Sequence, residues 1–141
     1  MTVALVSYED AHLEGVRSLW REVFADDPPR NWAERSVPEK QRFQPGLIIL
    51  ALDGDRVVGS VMAGYDGHRG ALNSVAVLPG YRRQGIGTAL IAEAEKRLQR
   101  LGCVKINLQI RQSNIAIAEF YRKLGYAFEE RVSMGKVIRD A

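Results

Sequence analysis

The sequence holds one cysteine, Cys103, in 141 residues. That scarcity excludes an internal disulfide and the paired cysteines of structural zinc sites, and it makes a reducing, cytoplasmic setting the natural expectation. Long hydrophobic runs are also lacking: nowhere do about eighteen apolar residues follow one another, as a membrane-spanning helix requires. The opening Met1-Thr-Val-Ala-Leu-Val-Ser7 has no basic segment leading into a long apolar stretch, so neither secretion nor a membrane partner is expected. Charge of one sign is nowhere concentrated. Lys and Arg number 20 against 17 Asp and Glu, a net +3, but the two signs alternate along the chain, whereas nucleic-acid binders gather positive charge on one face or stripe. A nucleic-acid partner is therefore not expected, and a mild positive balance suits a polyanionic cofactor equally well.

What is present is an ordinary globular composition, 46% hydrophobic and 26% charged, at a length that one domain spanning 1–141 accommodates. Residues 2–6 read as a strand, and Ser7-Tyr-Glu-Asp10 reads as a capping box opening a helix with Leu13, Val16, Trp20 and Val23 on its apolar face. Asp26-Asp-Pro-Pro29 stops that helix, and Ser36-Val-Pro-Glu39 reads as the start of a second. From Leu47 the period changes. Leu47 to Leu52, Arg56 to Tyr65 and Ala71 to Val77, separated by glycine-bearing turns, predict three strands in meander order. Ile86, Leu90, Ala94, Leu98 and Leu101 then form a helical stripe closed by Gly102. Val104 to Ile110 reads as a strand. Ser113 reads as the cap of a helix with Ile117, Phe120, Tyr121 and Leu124 inward and Gly125 just past its end. A last strand is expected over Met134 to Ile138, after a short partner near Tyr126.

The segment richest in chemical meaning lies between the third meander strand and the long helix. Glycines let backbone approach a ligand closely, and the unpaired N–H groups of a helix's first turn favour a phosphate. A nucleoside-triphosphate loop needs Gly-Lys-Ser/Thr, but Gly87 is followed by Thr88 with no lysine. A dinucleotide fingerprint needs a small residue where Leu90 stands and an acid about twenty positions on, where Asn107, Gln109 and Arg111 are found. Neither fits. The pattern present is Arg/Gln-x-x-Gly-x-Gly/Ala, as Arg82-Arg83-Gln84-Gly85-Ile86-Gly87 after Val75-Ala76-Val77-Leu-Pro79.

In this loop the sequence resembles the GCN5-related N-acetyltransferases (GNAT), and the resemblance continues in Asn114-Ile-Ala-Ile-Ala-Glu-Phe-Tyr121-Arg-Lys-Leu-Gly-Tyr126. The two motifs cover roughly residues 72–128. The resemblance implies an α/β fold, with a mixed, mainly antiparallel central sheet splayed in a V and flanked by helices, and acetyl-CoA (coenzyme A) in the slot of the V. It implies that Val75, Ala76 and Val77 line the pantetheine arm, that Arg82, Arg83, Gln84, Gly85, Ile86, Gly87 and Thr88 hold the pyrophosphate, and that Asn114 bonds the pantetheine or fixes the splay. Tyr121 falls where the family's tyrosine lies near the thioester sulfur, where a phenol can protonate or hydrogen-bond the leaving thiolate.

The activity implied is acetyl transfer to the primary amine of a small molecule or protein by direct attack, with a homodimer as a possible assembly. The alternative is a non-catalytic acyl-CoA-binding sensor, suggested because relatives acting on protein N-termini show Leu-Glu-Val-Arg where this chain has Leu108-Gln109-Ile110-Arg111, and Gln109 takes no proton. Asp66 and His68, in the turn Tyr65-Asp-Gly-His-Arg69, are the candidate bases, with Glu39 a further one. Cys103, with no histidine near it in sequence, reads as a small buried hydrophobe.

Overall fold

The computed structural model describes residues 2–139. The chain forms two compact units, 1–108 and 109–141. In the first, β1 (Ala4–Ser7) leads through a 3-10 turn to α1 (Leu13–Val23) and α2 (Ala33–Phe43). Then come β2 (Ile48–Asp53), β3 (Arg56–Tyr65), β4 (Gly70–Val77), α3 (Ile86–Arg100) and β5 (Ile106–Leu108). The strands form one sheet in the order β1-β2-β3-β4-β5, antiparallel except for the parallel β4–β5 pair. This is the mixed, mainly antiparallel sheet expected: β2, β3 and β4 form the three-strand meander, and β1 pairs with β2 from across α1 and α2.

Ser60 and Gly59 show how the layers are arranged. Adjacent strand residues point to opposite faces. The Ser60 hydroxyl meets Trp20 of α1, whereas a Cβ on Gly59 would lie 3.0 Å from Leu90 Cδ1 of α3. The two helices therefore cover opposite faces of the sheet. On α1, Val16, Leu19 and Trp20 are buried, and on α3, Ile86, Leu90, Ile91, Ala94 and Leu98 are, the three- and four-residue spacing that puts apolar groups on one side of a helix. Between them lie Ile48, Ile49, Leu50, Val58 and Val61, each at most 1% exposed.

Several boundaries differ from the sequence expectation. Ser7 is not a helix cap: it is the last residue of β1, paired with Ile49, and its hydroxyl accepts from Arg97 at 2.9 Å. The turn before α1 is closed instead by His12, whose Nδ1 accepts the Glu9 N–H at 2.9 Å. Helix α2 starts at Ala33, so Pro38 lies inside it, tolerated by a half-exposed helix whose Glu34 carbonyl goes without that N–H. Strand β5 is limited to Ile106–Leu108, and Val104 is 95% exposed. Leu101, past the end of α3, is exposed rather than part of its stripe.

In the second unit, a 3-10 segment over Gln112–Ile117 precedes α4 (Ala118–Lys123). The 3-10 segment is preceded by Arg111 and has no side-chain cap. Ser113 therefore falls inside the turn it was expected to open. Helix α4 ends with Gly125 at φ +96. The Gly125 N–H donates to the Arg122 carbonyl at 3.0 Å and the Tyr126 N–H to the Tyr121 carbonyl at 3.1 Å, the paired bonds of a Schellman ending. Ile117 is exposed rather than inward. No strand forms among the described residues after β5, and Met134 and Ile138 are exposed, so the expected final strand and its partner near Tyr126 are absent there: with no ladder bonds to an adjacent strand, an apolar run does not become one.

Candidate active site

Strand β4 is irregular at its middle and, among the described residues, has no neighbouring strand on one edge beyond it. Its ladder with β5 covers Gly70–Leu72 against Ile106–Leu108 and then ends, while β4 continues to Val77. On the other edge, Met62 pairs with Asn73 and Ser60 with Ala76, so Val61 faces both Ser74 and Val75. This is a β-bulge, with Ser74 at φ +52. Beyond it, the Leu78 N–H donates to the Val58 carbonyl at 2.9 Å. Alternation along an antiparallel edge then directs the backbone groups of Ala76 and Leu78 to β3, and those of Val75 and Val77 to the side β5 has left. The Val77 carbonyl illustrates this, accepting from Arg82 Nε at 3.0 Å. Val75 and Val77 are half-buried and Ala76 is buried.

After β4 the chain turns over Pro79–Tyr81, where the Tyr81 hydroxyl donates to Asp53 Oδ2 at 2.5 Å and ties the loop to the β2–β3 turn. That bond to a carboxylate, with burial, raises the Tyr81 pKa. Arg82, Arg83 and Gln84 are exposed. Arg83 sits at φ +63 and Gly85 at φ +81, two left-handed residues that swing the loop into α3. A Cβ on Gly85 would meet nothing within 4 Å, so the positive φ, not crowding, calls for glycine there. Gly85 is the N-cap of α3 and no side chain caps it. The first-turn amides of Ile86, Gly87 and Thr88 thus have neither an intrahelical partner nor a side-chain cap, which is the arrangement an anion completes.

Asn114 and Tyr121 belong to the second unit. Asn114 is exposed, with non-helical φ −120 and ψ 28 kinking the 3-10 segment, and its N–H donates to the Arg111 carbonyl at 2.8 Å. Tyr121 is buried, 9% exposed, with the rings of Phe120 and Tyr126 edge-on at 5.1 and 5.9 Å. Burial raises its pKa, so the phenol stays protonated. The contact of Tyr126 with Tyr121 is the apolar closure that accompanies a Schellman ending. The tyrosine-Gly-aromatic pattern is therefore also a helix terminus. The Gln109 amide donates to the Ser133 hydroxyl.

The candidate bases are spread apart. Asp66 Oδ1 accepts the N–H groups of His68 and Arg69, each at 2.7 Å, and those bonds, Arg69 first, lower its pKa. Asp66 is thus held as a carboxylate that shapes the hairpin turn. His68 is exposed beside Arg69. Both stand at the far end of β4 from the glycine loop, a strand of 8 residues spanning roughly 25 Å. Glu39 is exposed and paired with Arg42 at 2.7 Å. Lys40, half-buried, donates to Gln44 Oε1 at 2.7 Å, and Gln44 Nε2 donates to the Tyr65 carbonyl at 2.5 Å. Burial lowers the Lys40 pKa. Cys103 is only half-buried, its Sγ 2.6 Å from where a Cβ on Gly70 would be. It fills the space that a side chain at Gly70 would need.

Sequence reasoning did not single out Ser60, Ser74 or the polar end of Trp20. Nothing in Leu72-Asn-Ser-Val75 signals a bulge, because the residue that takes positive φ is a serine rather than a glycine. A cavity of about 200 Å³ beside α1 and α2 is lined by Trp20, Phe24, Asp27, Trp32 and Glu34 among others. Among the described residues no three His, Cys, Asp or Glu side chains are grouped to hold a metal ion, and no helix is long and apolar enough to cross a membrane.

With this geometry in view, a family model described as "Acetyltransferase (GNAT) family" matches residues 17–126. An acetyltransferase of Sodalis glossinidius is 40% identical over 134 residues, covering 94% of this chain and 91% of that protein. Among solved structures, Ard1 from Thermoplasma volcanium superposes with a TM-score of 0.80 at 18% identity, over 92% of this chain and 85% of that one. AAC(6')-Iy, in complex with the bisubstrate analogue CoA-S-monomethyl-acetylneamine, superposes with a TM-score of 0.77 at 19% identity, over 97% of this chain and 99% of that one. The two structures speak to the fold; the sequence matches speak to the family.

Proposed function

Since the chain belongs to the acetyltransferase (GNAT) family and is an acyltransferase with acetyl-CoA as cosubstrate, we propose that it moves the acetyl group to a primary amine by direct attack, with 1–141 acting as one domain. The observation that carries this reading is the succession of a β4 edge with no neighbouring strand among the described residues, a loop with two left-handed residues, and an uncapped helix N-terminus. The edge offers the Val75 and Val77 backbone groups to the amides of pantetheine as an added strand would. The first-turn amides of α3, with Arg83 beside them, suit the pyrophosphate. Arg82 braces the Val77 carbonyl.

In this reading the neutral amine adds to the thioester carbonyl. A C–N bond forms, the C–S bond breaks, the amine's proton leaves to a base or water, and the thiolate takes a proton from Tyr121. The raised pKa of Tyr121 supports that role, since the phenol keeps its proton at the pH where an amine is free to attack. Asn114 holds the pantetheine. The acceptor is a small molecule or a protein amine, and the Trp- and Phe-lined cavity beside α1 and α2 supports recognition of its apolar part. Asp66 shapes the turn at the acceptor end of β4, and His68 is the group there able to take a proton. The reading places the protein in the cytoplasm, with a homodimer as a possible assembly.

The test is thiol release from acetyl-CoA across a panel of primary amines, with product and intact protein followed by mass. Amine-dependent release, an N-acetyl product and no acetylated enzyme are expected. Thiol release that charges the protein before any amine is added would overturn direct attack, and binding without release from any amine would favour the sensor.

A further inference from the structure

Among the described residues the core holds one buried polar side chain that is not aromatic, Ser60, with no exposed surface. A hydroxyl there must find partners, and it finds two: Trp20 Nε1 donates to Ser60 Oγ at 2.9 Å, and Ser60 Oγ lies 2.8 Å from the Ser74 carbonyl. The direction of this chain is fixed. An indole N–H only donates and a hydroxyl has one proton, so Ser60 accepts from Trp20 and gives its own proton to Ser74. Serine rarely takes a positive φ, yet Ser74 holds +52 in the β4 bulge. An alanine would pack at Ser60 with no hydroxyl to satisfy. What the hydroxyl adds is a fixed Ser74 carbonyl, tied through Trp20 to α1.

We propose that Ser60 and Trp20 are positioning residues for acyl transfer: the bond chain Trp20–Ser60–Ser74 locks the β4 bulge and thereby aims the acetyl end of bound acetyl-CoA. The proposal rests on β4 being the cofactor's strand. Phosphates held at the α3 N-terminus lie past Val77, so pantetheine running back along Val77 and Val75 brings the thioester toward Ser74. Loss of the lock disturbs the thioester end and leaves the phosphate end in place. Trp20 also lines the cavity beside α1 and α2, so one side chain braces the bulge and walls that cavity.

The experiment compares wild type with Ser60→Ala, which removes both bonds, and Ser60→Thr, which keeps a hydroxyl. Affinity for CoA itself, read by calorimetry, is expected to change by less than about threefold in Ser60→Ala, while thiol release at saturating acetyl-CoA with a working amine falls roughly tenfold, since small misplacements of a reacting group are costly. The carbonyl 13C resonance of bound [1-13C]acetyl-CoA is expected to shift in Ser60→Ala and to return toward wild type in Ser60→Thr. In a Ser74→Gly background, where positive φ needs no support, Ser60→Ala is expected to cost distinctly less. Wild-type turnover and an unchanged 13C signal in Ser60→Ala, whatever its Tm, would reduce the chain to a stabilising contact and overturn the proposal. Failure of wild type to bind CoA at all would instead overturn the reading of β4 on which it stands.

Discussion

Replacing Thr88 with glutamate has two consequences that run in opposite directions. Thr88 is exposed and is the third residue of α3. Glutamate is the better helix former by a few tenths of a kcal/mol, and an acid in a helix's first turn gains about 0.3–1 kcal/mol from the dipole. The unfolding free energy should therefore rise by roughly 0.5–1 kcal/mol, lifting Tm by about 2–5 °C in a chain of this size. Cofactor binding should move the other way. A carboxylate about 6 Å from a pyrophosphate charge costs about 3 kcal/mol at an effective dielectric of 20, reduced by salt, so acetyl-CoA affinity should fall about 10- to 100-fold. Thermal unfolding and calorimetric titration at low salt read the two effects, with Thr88→Gln as the neutral control. Unchanged affinity in a variant at least as stable as wild type would remove the phosphate from the α3 N-terminus.

Tyr121→Phe should keep acetyl-CoA affinity and lower turnover by roughly ten- to a thousand-fold, close to the span of acid catalysis; wild-type rates would take Tyr121 out of the mechanism. Gly70→Ala would set a Cβ 2.6 Å from Cys103 Sγ, and an overpacked site of this kind should cost about 1–3 kcal/mol in denaturant unfolding, with much of the loss recovered in a Gly70→Ala, Cys103→Ala double variant. Acid should destabilise the fold through Asp66, lowered by the N–H groups of Arg69 and His68, and Glu93, lowered by the Arg97 hydrogen bond. A depressed native pKa means that the stability is complete above the ordinary carboxylate range and lost as pH falls through the native values. Midpoints in urea should hold from neutral pH to about 5 and drop below about 4; Asp66→Asn should flatten part of that drop.

How much of this was legible depended on whether a feature is announced by local residue chemistry. Strand β3 is legible at its observed limits, Arg56–Tyr65, because Asp53-Gly-Asp55 and Asp66-Gly67 bound it on both sides. The start of α3 was legible because Gly85 and Gly87 interrupt an otherwise helical stripe, and the end of α4 because Gly125 must take a positive φ. Ser7 misled, since a serine ahead of an apolar stripe reads as a cap, while its pairing with Ile49 is a contact 42 positions away in sequence. The bulge at Ser74 is silent in the sequence: the Ser74 carbonyl accepts from Ser60, which accepts from Trp20, and both partners come from other elements. For the site, the roles of the loop and of Tyr121 follow from the resemblance that the two motifs carry. The turn bonds that occupy Asp66, and the bond from Arg82 to the Val77 carbonyl, are visible only in the folded chain.

The central claim is that β4, the glycine loop and the α3 N-terminus form an acetyl-CoA site that serves catalysis. Calorimetric titration of the wild-type protein with acetyl-CoA, followed in the same sample by addition of primary amines and measurement of free thiol, tests it most directly. Saturable binding at one site per chain, with thiol release that appears only when an amine is added, is the result predicted. No binding of acetyl-CoA would contradict the account at its root.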